Sequence, residues 1–254
     1  IFLGLENGSA LGDSLDRIEE FHEAGVRYIT LCHSRDNQIC DSCADKGRWK
    51  GLSPFGKNVV RVMNRMGMLV DVSHISDSSF YDVLETSTRP AVATHSCCRS
   101  LCDHPRNMTD QMIRDLAEAG GVIQINFYPL FLDGGFKALL DASGIMKYGE
   151  RIESEFIADP YSSTKRAAWN KVQDELMALA RPSFRLIADH IDHAVELAGI
   201  EHVGIGSDFD GIEVTPEGLE NIGMMPVLFD ELRSRGYTES DLAKIAGENF
   251  FRIL

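Results

Sequence analysis

The sequence predicts an α/β fold in which repeated βα units build a parallel sheet. Short apolar runs rich in β-branched residues alternate with amphipathic segments along the whole 254-residue chain, a pattern typical of parallel strands joined by crossover helices. The sequence contains no Ser/Gly-rich linker, internal repeat or low-complexity run that would separate two domains. We therefore expect a single domain over residues 1–254, about the length of a complete (β/α)8 barrel.

Six apolar runs are predicted to be the strands of this sheet. Each run is short and gives way to polar residues, as expected where a buried strand ends in a loop. The predicted strands are residues 1–5, 28–32, 68–72, 91–94, 122–126 and 202–206.

Amphipathic segments between and after the strands are predicted to be helices that pack outside the sheet. Pro54 suits a first helical turn, and Thr109 and Thr238 are expected to be N-caps. A longer stretch, 132–182, is predicted to form a helical insertion of two or three segments that reaches over a site. The other predicted helices are residues 14–24, 55–66, 76–84, 109–119, 185–197, 225–235 and 239–251.

The charge of the chain excludes some classes of partner. A formal net charge of -14 and a pI of about 5.0 give a field that repels phosphate backbones, so we expect no nucleic-acid partner. No stretch reaches the roughly 18 apolar residues of a spanning helix, so no membrane-spanning segment is predicted. The sequence is compatible with both a cytoplasmic and a periplasmic location.

The six cysteines are expected to be mainly free thiols, because a chain of this size can rely on its hydrophobic core. Cys40-x-x-Cys43 resembles half of a zinc site, but no second pair follows at a suitable spacing. We therefore interpret this segment as a loop with two incidental thiols.

Polar side chains gather where the predicted strands end, and in parallel βα folds ligands bind at that edge. Glu6, His74 and His95 offer one carboxylate and two imidazoles, an ordinary ligand set for Zn²⁺ with an open position for water. Zinc lowers the pKa of bound water to about 7, so hydrolysis is the expected reaction class. The complete group is Glu6, His33, His74, His95, Asn126, Tyr128, Asp208 and Asp210.

Asp208 is a candidate proton acceptor for that water. It follows a Gly-Ile-Gly-Ser run whose small residues let backbone and ligand approach closely. The alternative interpretation of Asp208 is a helix cap, and the sequence leaves both open.

Six motifs together resemble the membrane (renal) dipeptidase family of zinc peptidases. Their order and approximate spacing match over nearly the whole chain, and the Asp-Val-Ser-His and Gly-Ser-Asp-Phe-Asp-Gly blocks are the most distinctive. The motifs are Leu5-Glu6-Asn7-Gly8, Leu31-Cys32-His33, Gly67-Met68-Leu69-Val70-Asp71-Val72-Ser73-His74, Thr94-His95-Ser96, His104-Pro105-Arg106-Asn107 and Gly204-Ile205-Gly206-Ser207-Asp208-Phe209-Asp210-Gly211.

The resemblance implies an amidohydrolase-like (β/α)8 TIM-like barrel that hydrolyses dipeptides, including those with a C-terminal D-residue. It implies two Zn²⁺ ions bridged by Glu6, with His74 and His95 completing the protein ligands of one ion. His33 would contact the substrate near its scissile carbonyl, and Asp208 would be the acid/base residue. A homodimer is also expected from the family.

By the same resemblance, Arg106 would bind the carboxylate of the substrate. A guanidinium suits that role because it grips a carboxylate at two points, although a salt bridge with Asp103 remains an alternative. Tyr128 would add a hydroxyl contact to this carboxylate, or else be a core or rim tyrosine.

One part of the family pattern is missing from this sequence. A His-x-Asp ligand pair from the first barrel strand should precede Glu6, and the His190-Ile191-Asp192 segment cannot replace it because it lies in a predicted helix. Because six strands are also two short of closure, we expect that the first two βα units are absent. The alternatives are another amidohydrolase-like metallohydrolase and a noncatalytic relative.

Overall fold

The computed structural model describes residues 2–254 and contains one parallel sheet of six strands. The strands follow one another across the sheet in chain order, and every neighbouring pair is parallel. The strands are β1 (Leu3–Glu6), β2 (Val26–Thr30), β3 (Leu69–Asp71), β4 (Val92–Ser96), β5 (Val122–Ile125) and β6 (Val203–Ile205).

All six predicted strands are confirmed, but several of their ends were wrong. Strand β2 begins and ends two residues before the predicted range 28–32, because Val26 pairs with Leu3 of β1. Strand β4 continues through His95 to Ser96, where it pairs with Ile125. The predicted start of β1, at Ile1, lies outside the described residues.

The predicted helices are present around the sheet. Thr109 and Thr238 are N-caps as predicted, since each hydroxyl accepts a hydrogen bond from an amide three residues on. The last predicted helix is divided by a π-helical turn, Lys244–Glu248. The helices are α1 (Asp16–Glu23), α2 (Pro54–Met66), α3 (Asp77–Thr86), α4 (Asp110–Glu118), α5 (Pro129–Leu132), α6 (Gly134–Ser143), α7 (Met146–Ala158), α8 (Ser163–Met177), α9 (Arg185–Ala198), α10 (Met225–Ser234), α11 (Glu239–Ala243) and α12 (Asn249–Ile253).

The long connection between β5 and β6 contains α5 to α9, and α6 to α8 form a group within it. They pack on one another around a small apolar cluster of their own, which includes Phe136, Leu140, Val172 and Leu176. The main core lies between the sheet and the outer helices. The long connection therefore has a core separate from the one that holds the sheet.

The two ends of the sheet differ in what covers them. At the amino ends of the strands, Leu69, Val92 and Val122 pack against Ile253 of α12. At the edges, no pairing among residues 2–254 joins β1 to β6. A cavity of about 720 Å³ opens there and reaches Glu6, His95 and Asp208. The helix thus covers one end of the sheet, and the site residues face the open carboxyl end.

The His190-Ile191-Asp192 segment lies in α9, and two of its side chains make structural contacts. His190 is buried, its Nδ1 accepts a hydrogen bond from the amide of Cys98, and its Nε2 donates to the carbonyl of Leu132. Asp192 accepts a hydrogen bond from Arg235. Neither side chain is available to a metal ion.

His190 should make the stability of the protein depend on pH. Burial lowers the pKa of His190 to about 4, so folding favours its neutral form. The contribution of His190 to the free energy of unfolding is on the order of 3 kcal/mol. It is complete above the pKa of about 6.5 in the unfolded chain and is lost as pH falls toward 4. In urea unfolding experiments between pH 7 and 4, the free energy of unfolding should fall less steeply for His190→Asn than for wild type. His22→Asn is the control, and an equal slope in all three proteins would contradict the prediction.

Candidate metal centre

Three side chains converge at the carboxyl end of the sheet. Glu6 is the last residue of β1, His95 lies near the end of β4, and His74 follows β3. Glu6 Oε1 lies 3.1 Å from His74 Nε2 and 3.2 Å from His95 Nε2, and the two nitrogens are 2.9 Å apart. The structure therefore brings together the three predicted ligands of one zinc ion.

The chemistry of this cluster fits a divalent cation. Ligand atoms about 2.0–2.2 Å from a tetrahedral zinc ion are themselves about 3.4 Å apart, close to the separations observed here. A carboxylate oxygen and two ring nitrogens meet at one point, and without an ion the contacts among them require protons on the ring nitrogens. A cation at this point would take the place of those protons.

The electrostatics of the cluster favour ligand-competent protonation states. Hydrogen bonds from His74 and then His95 hold the pKa of the Glu6 carboxyl well below its usual range. Burial lowers the pKa of His74 to about 3, although its contact with Glu6 opposes that shift. Glu6 is thus ionised and His74 is neutral at pH 7, the forms in which carboxylates and imidazoles bind metals.

Two of the predicted site residues are among the four non-glycine residues with a left-handed backbone in residues 2–254. His74 has φ 69° and Asp208 has φ 59°, the left-handed region that non-glycine residues occupy at a cost of about 1–3 kcal/mol. The carbonyl of His74 is fixed there by the amide of Cys43, at 2.9 Å. Each residue lies three positions after the end of its strand, at the carboxyl end of the sheet.

Asp208 lies in the loop after β6 and is not a helix cap. Its Oδ2 accepts a hydrogen bond from Asn126 Nδ2 at 3.0 Å, and burial raises the pKa of its carboxyl. The glycines around it are required sterically: a Cβ on Gly206 would lie 1.9 Å from the carbonyl oxygen of Thr94. Asp208 and Glu6 line the same cavity.

Arg106 is buried beside the cluster. Its Nη2 donates to the carbonyl of His95 at 2.9 Å, its Nη1 donates to Ser96 Oγ, and Phe131 lies under the guanidinium. Within residues 2–254 its Nε has no hydrogen-bond partner and no carboxylate lies within 4.0 Å. The alternative of a structural salt bridge with Asp103 is therefore not observed.

His33 and Tyr128 have different positions relative to the cluster. His33 is half-exposed, with its Nε2 4.0 Å from Glu6 Oε1 and its ring 4.3 Å from that of His74. Tyr128 packs against Phe131, and its pKa is raised by burial and by the neighbouring Glu213 carboxylate. Among residues 2–254, Tyr128 is absent from the lining of the cavity that contains Glu6.

A family model described as membrane dipeptidase, peptidase family M19, matches residues 1–254. The chain belongs to the membrane dipeptidase family. This M19 chain is 33% identical over 253 residues to an uncharacterized dipeptidase of Schizosaccharomyces pombe and to dipeptidase aclJ of Aspergillus oryzae. Each match covers 99% of the chain, but 51% and 50% of the relatives, respectively. The M19 chain therefore spans about half the length of these proteins.

Solved structures share the fold of the M19 chain. The probable dipeptidase PvdM from Pseudomonas aeruginosa matches with a TM-score of 0.81 and 28% identity, over 98% of this chain and 67% of that one. A metallopeptidase from Rhodobacter sphaeroides, liganded with a phosphinate mimic of the dipeptide L-Ala-D-Ala, matches with a TM-score of 0.77 and 26% identity, over 99% and 62%. The predicted family and α/β barrel class are thus confirmed.

Two further features of the M19 chain agree with its sequence. All six cysteines, including Cys40 and Cys43, are free thiols. Within residues 2–254, the helices are all too short or too polar to cross a bilayer. Asp71 and Thr94, which connect His95 to the sheet, were not predicted from the sequence. The available signal was a charged residue inside an apolar strand.

Proposed function

We propose that this chain carries one metal site and the substrate-binding residues of a zinc-dependent dipeptidase. The convergence of Glu6, His74 and His95 on one point carries this proposal. The metallopeptidase character of dipeptidase AC, another M19 relative with 26% identity, supports it. When bound, Zn²⁺ would supply a water molecule of lowered pKa, and peptide hydrolysis is the reaction that such a nucleophile performs.

Glu6 is proposed to bridge two zinc ions in the complete active site. Its contacts with His33, His74 and His95 all use Oε1, which would leave the other carboxylate oxygen to hold a second ion. About 48% of the Glu6 side chain is exposed, which leaves room for further ligands at the open edge between β1 and β6. His74 and His95 would hold only the first ion, together with Glu6.

Asp208 is proposed to take and return the proton of the attacking water. The hydrogen bond that Asn126 Nδ2 donates to Oδ2 orients the carboxylate, and Oδ1 would accept the proton. Burial raises the Asp208 pKa, which increases its strength as a base relative to an ordinary aspartate. His33, half-exposed beside Glu6, would contact the scissile carbonyl of the substrate.

Arg106 is proposed to bind the terminal carboxylate of the dipeptide. The buried guanidinium has an unpartnered Nε and no carboxylate neighbour, so its charge is free to pair with an anionic ligand. Tyr128, which packs against Phe131, would add a hydroxyl contact to the same carboxylate. The L-Ala-D-Ala mimic bound by the Rhodobacter sphaeroides relative supports substrates with a C-terminal D-residue.

Replacing Arg106 by lysine tests the substrate assignment. Because lysine lacks the planar two-point donor geometry, Arg106→Lys should raise KM for L-Ala-D-Ala about 10–100-fold, as expected for losing a charged hydrogen bond. The variant and wild type should cleave the corresponding dipeptide amide at similar rates, since the amide has no terminal charge. The measurement is steady-state kinetics on both compounds, using the complete product of the gene.

Arg99→Lys is the matched control, because Arg99 is held by Asp77 away from the cluster. An equal loss on the acid and the amide would show that Arg106 acts by supporting the fold. A zinc-loaded, folded protein that cleaves no dipeptide would move the substrate to another class of amide.

A further inference from the structure

Asp71 is a buried carboxylate at the end of β3, and the hydrolytic roles proposed above do not use it. Its side chain accepts four hydrogen bonds. Oδ1 accepts from the amides of Ser73 and Thr94, at 2.9 and 3.0 Å, and Oδ2 accepts from the hydroxyls of Thr94 and Thr30, at 2.6 and 2.5 Å. Asp71 therefore connects the ends of β2, β3 and β4 through a fully buried side chain.

The hydroxyl of Thr94 has only one proton, and the carboxylate of Asp71 can only accept it. The oxygen of Thr94 must then accept from its other close neighbour, His95 Nδ1, at 2.8 Å. His95 therefore carries a proton on Nδ1, which leaves Nε2 as the ring nitrogen that can bind an ion. That nitrogen is the one that lies 3.2 Å from Glu6 Oε1.

A second connection holds the backbone of the same residue. Ser73 Oγ accepts a hydrogen bond from the amide of His95 at 3.0 Å, and the amide of Ser73 donates to Asp71. Both the ring and the backbone of His95 are thus tied to Asp71. Ser73 also directly precedes His74, so one carboxylate organises the two strand ends that carry the imidazoles.

We propose that Asp71 and Thr94 are positioning residues that fix the tautomer and ring orientation of His95 so that Nε2 binds the metal ion. This inference rests on the proposed function, because it takes His95 to be a ligand of the proposed zinc ion. Metal-binding histidines commonly donate their second ring N–H to a fixed acceptor, and loss of such an acceptor weakens metal affinity about 10–100-fold. Thr94 is that acceptor, and Asp71 fixes the direction of its proton.

Two threonines provide a matched pair of variants. Thr30 and Thr94 both donate a hydroxyl to Asp71 Oδ2, but Thr94 alone contacts His95. We expect Thr94→Val to weaken zinc binding about 10–100-fold and to shift the visible spectrum of the Co²⁺-substituted protein. Thr30→Val should leave zinc affinity within about twofold, and Thr94→Ser, which keeps the hydroxyl, should restore it. Zinc affinity is measured by competition with a chromophoric chelator.

A readout on metal-free protein separates this inference from the proposed function. The ¹⁵N NMR shifts of His95 should report the Nδ1-protonated tautomer in wild type and Thr30→Val, and a mixture of tautomers in Thr94→Val. Equal losses of zinc affinity in Thr30→Val and Thr94→Val would overturn the positioning role. A wild-type protein with the expected tautomer that binds neither Zn²⁺ nor Co²⁺ would overturn the proposed metal site and the proposed ligand role of His95.

Discussion

His95→Ala should abolish tight zinc binding and dipeptide hydrolysis together. The substitution removes one of three ligands that meet at a single point, and the two that remain come from separate strands. Loss of a direct ligand should exceed the effect of losing a supporting group, so we expect zinc affinity to fall by more than about 100-fold. Bound zinc is measured after equilibration in metal buffers, and hydrolysis of Ala-Ala is measured on the complete gene product.

The control for this experiment is His193→Ala. His193 is also partly buried and also contacts a carboxylate, that of Asp110 at 2.9 Å, but it lies on α9 outside the cluster. It should keep the zinc affinity of wild type. If His95→Ala retained zinc with unchanged affinity, the ion would have to lie elsewhere, and the proposed metal centre would be wrong.

Asp208→Asn should lower kcat by about 10²–10⁴-fold, the usual effect of removing a general acid–base group, while KM and bound zinc change little. The amide has the shape of the carboxylate but cannot accept a proton. Burial raises the Asp208 pKa, whereas a bound dication would lower it, and the base form is lost as pH falls through the resulting pKa. Wild-type kcat should therefore decline on the acid side of its pH profile, and the variant should lack that limb.

Kinetics and zinc content measured on the same preparations decide the outcome for Asp208. A variant that loses zinc in proportion to its activity would indicate a ligand or a structural role. A variant with full zinc and a kcat within about threefold of wild type would exclude Asp208 from the proton transfer, given the size of that effect in other enzymes.

The grouping of Glu6, His74 and His95 could be predicted from the sequence because the geometry of a parallel sheet determines where its strands end. Polar residues that follow apolar strands must stand at one edge when the strands are parallel, so Glu6, His74 and His95 could be grouped before the structure was known. Strand ends were less predictable, since they depend on the neighbouring strand. Val26 belongs to β2 because Leu3 pairs with it, and Ser96 belongs to β4 because Ile125 does.

Interactions between residues far apart in sequence could not be predicted. Asp71 receives hydroxyl donors from Thr30 and Thr94, which are 41 and 23 positions away, and nothing local distinguishes these threonines from others. The neighbour that raises the Tyr128 pKa, Glu213, lies beyond the helices of the long connection. Periodicity reports which face of an element is buried but does not report which polar groups meet there.

The long connection that holds α6 to α8 also affects how freely the chain can vary in length. Asn126 and Asp208 meet although they are 82 positions apart, whereas His74 and His95 are separated by 21. Loop-closure entropy grows only with the logarithm of length, so this difference amounts to about 1 kcal/mol, and doubling a loop adds about 0.6 kcal/mol. Insertions and deletions in this segment could therefore accumulate during evolution while Asp208 keeps its place beside Glu6 and His95.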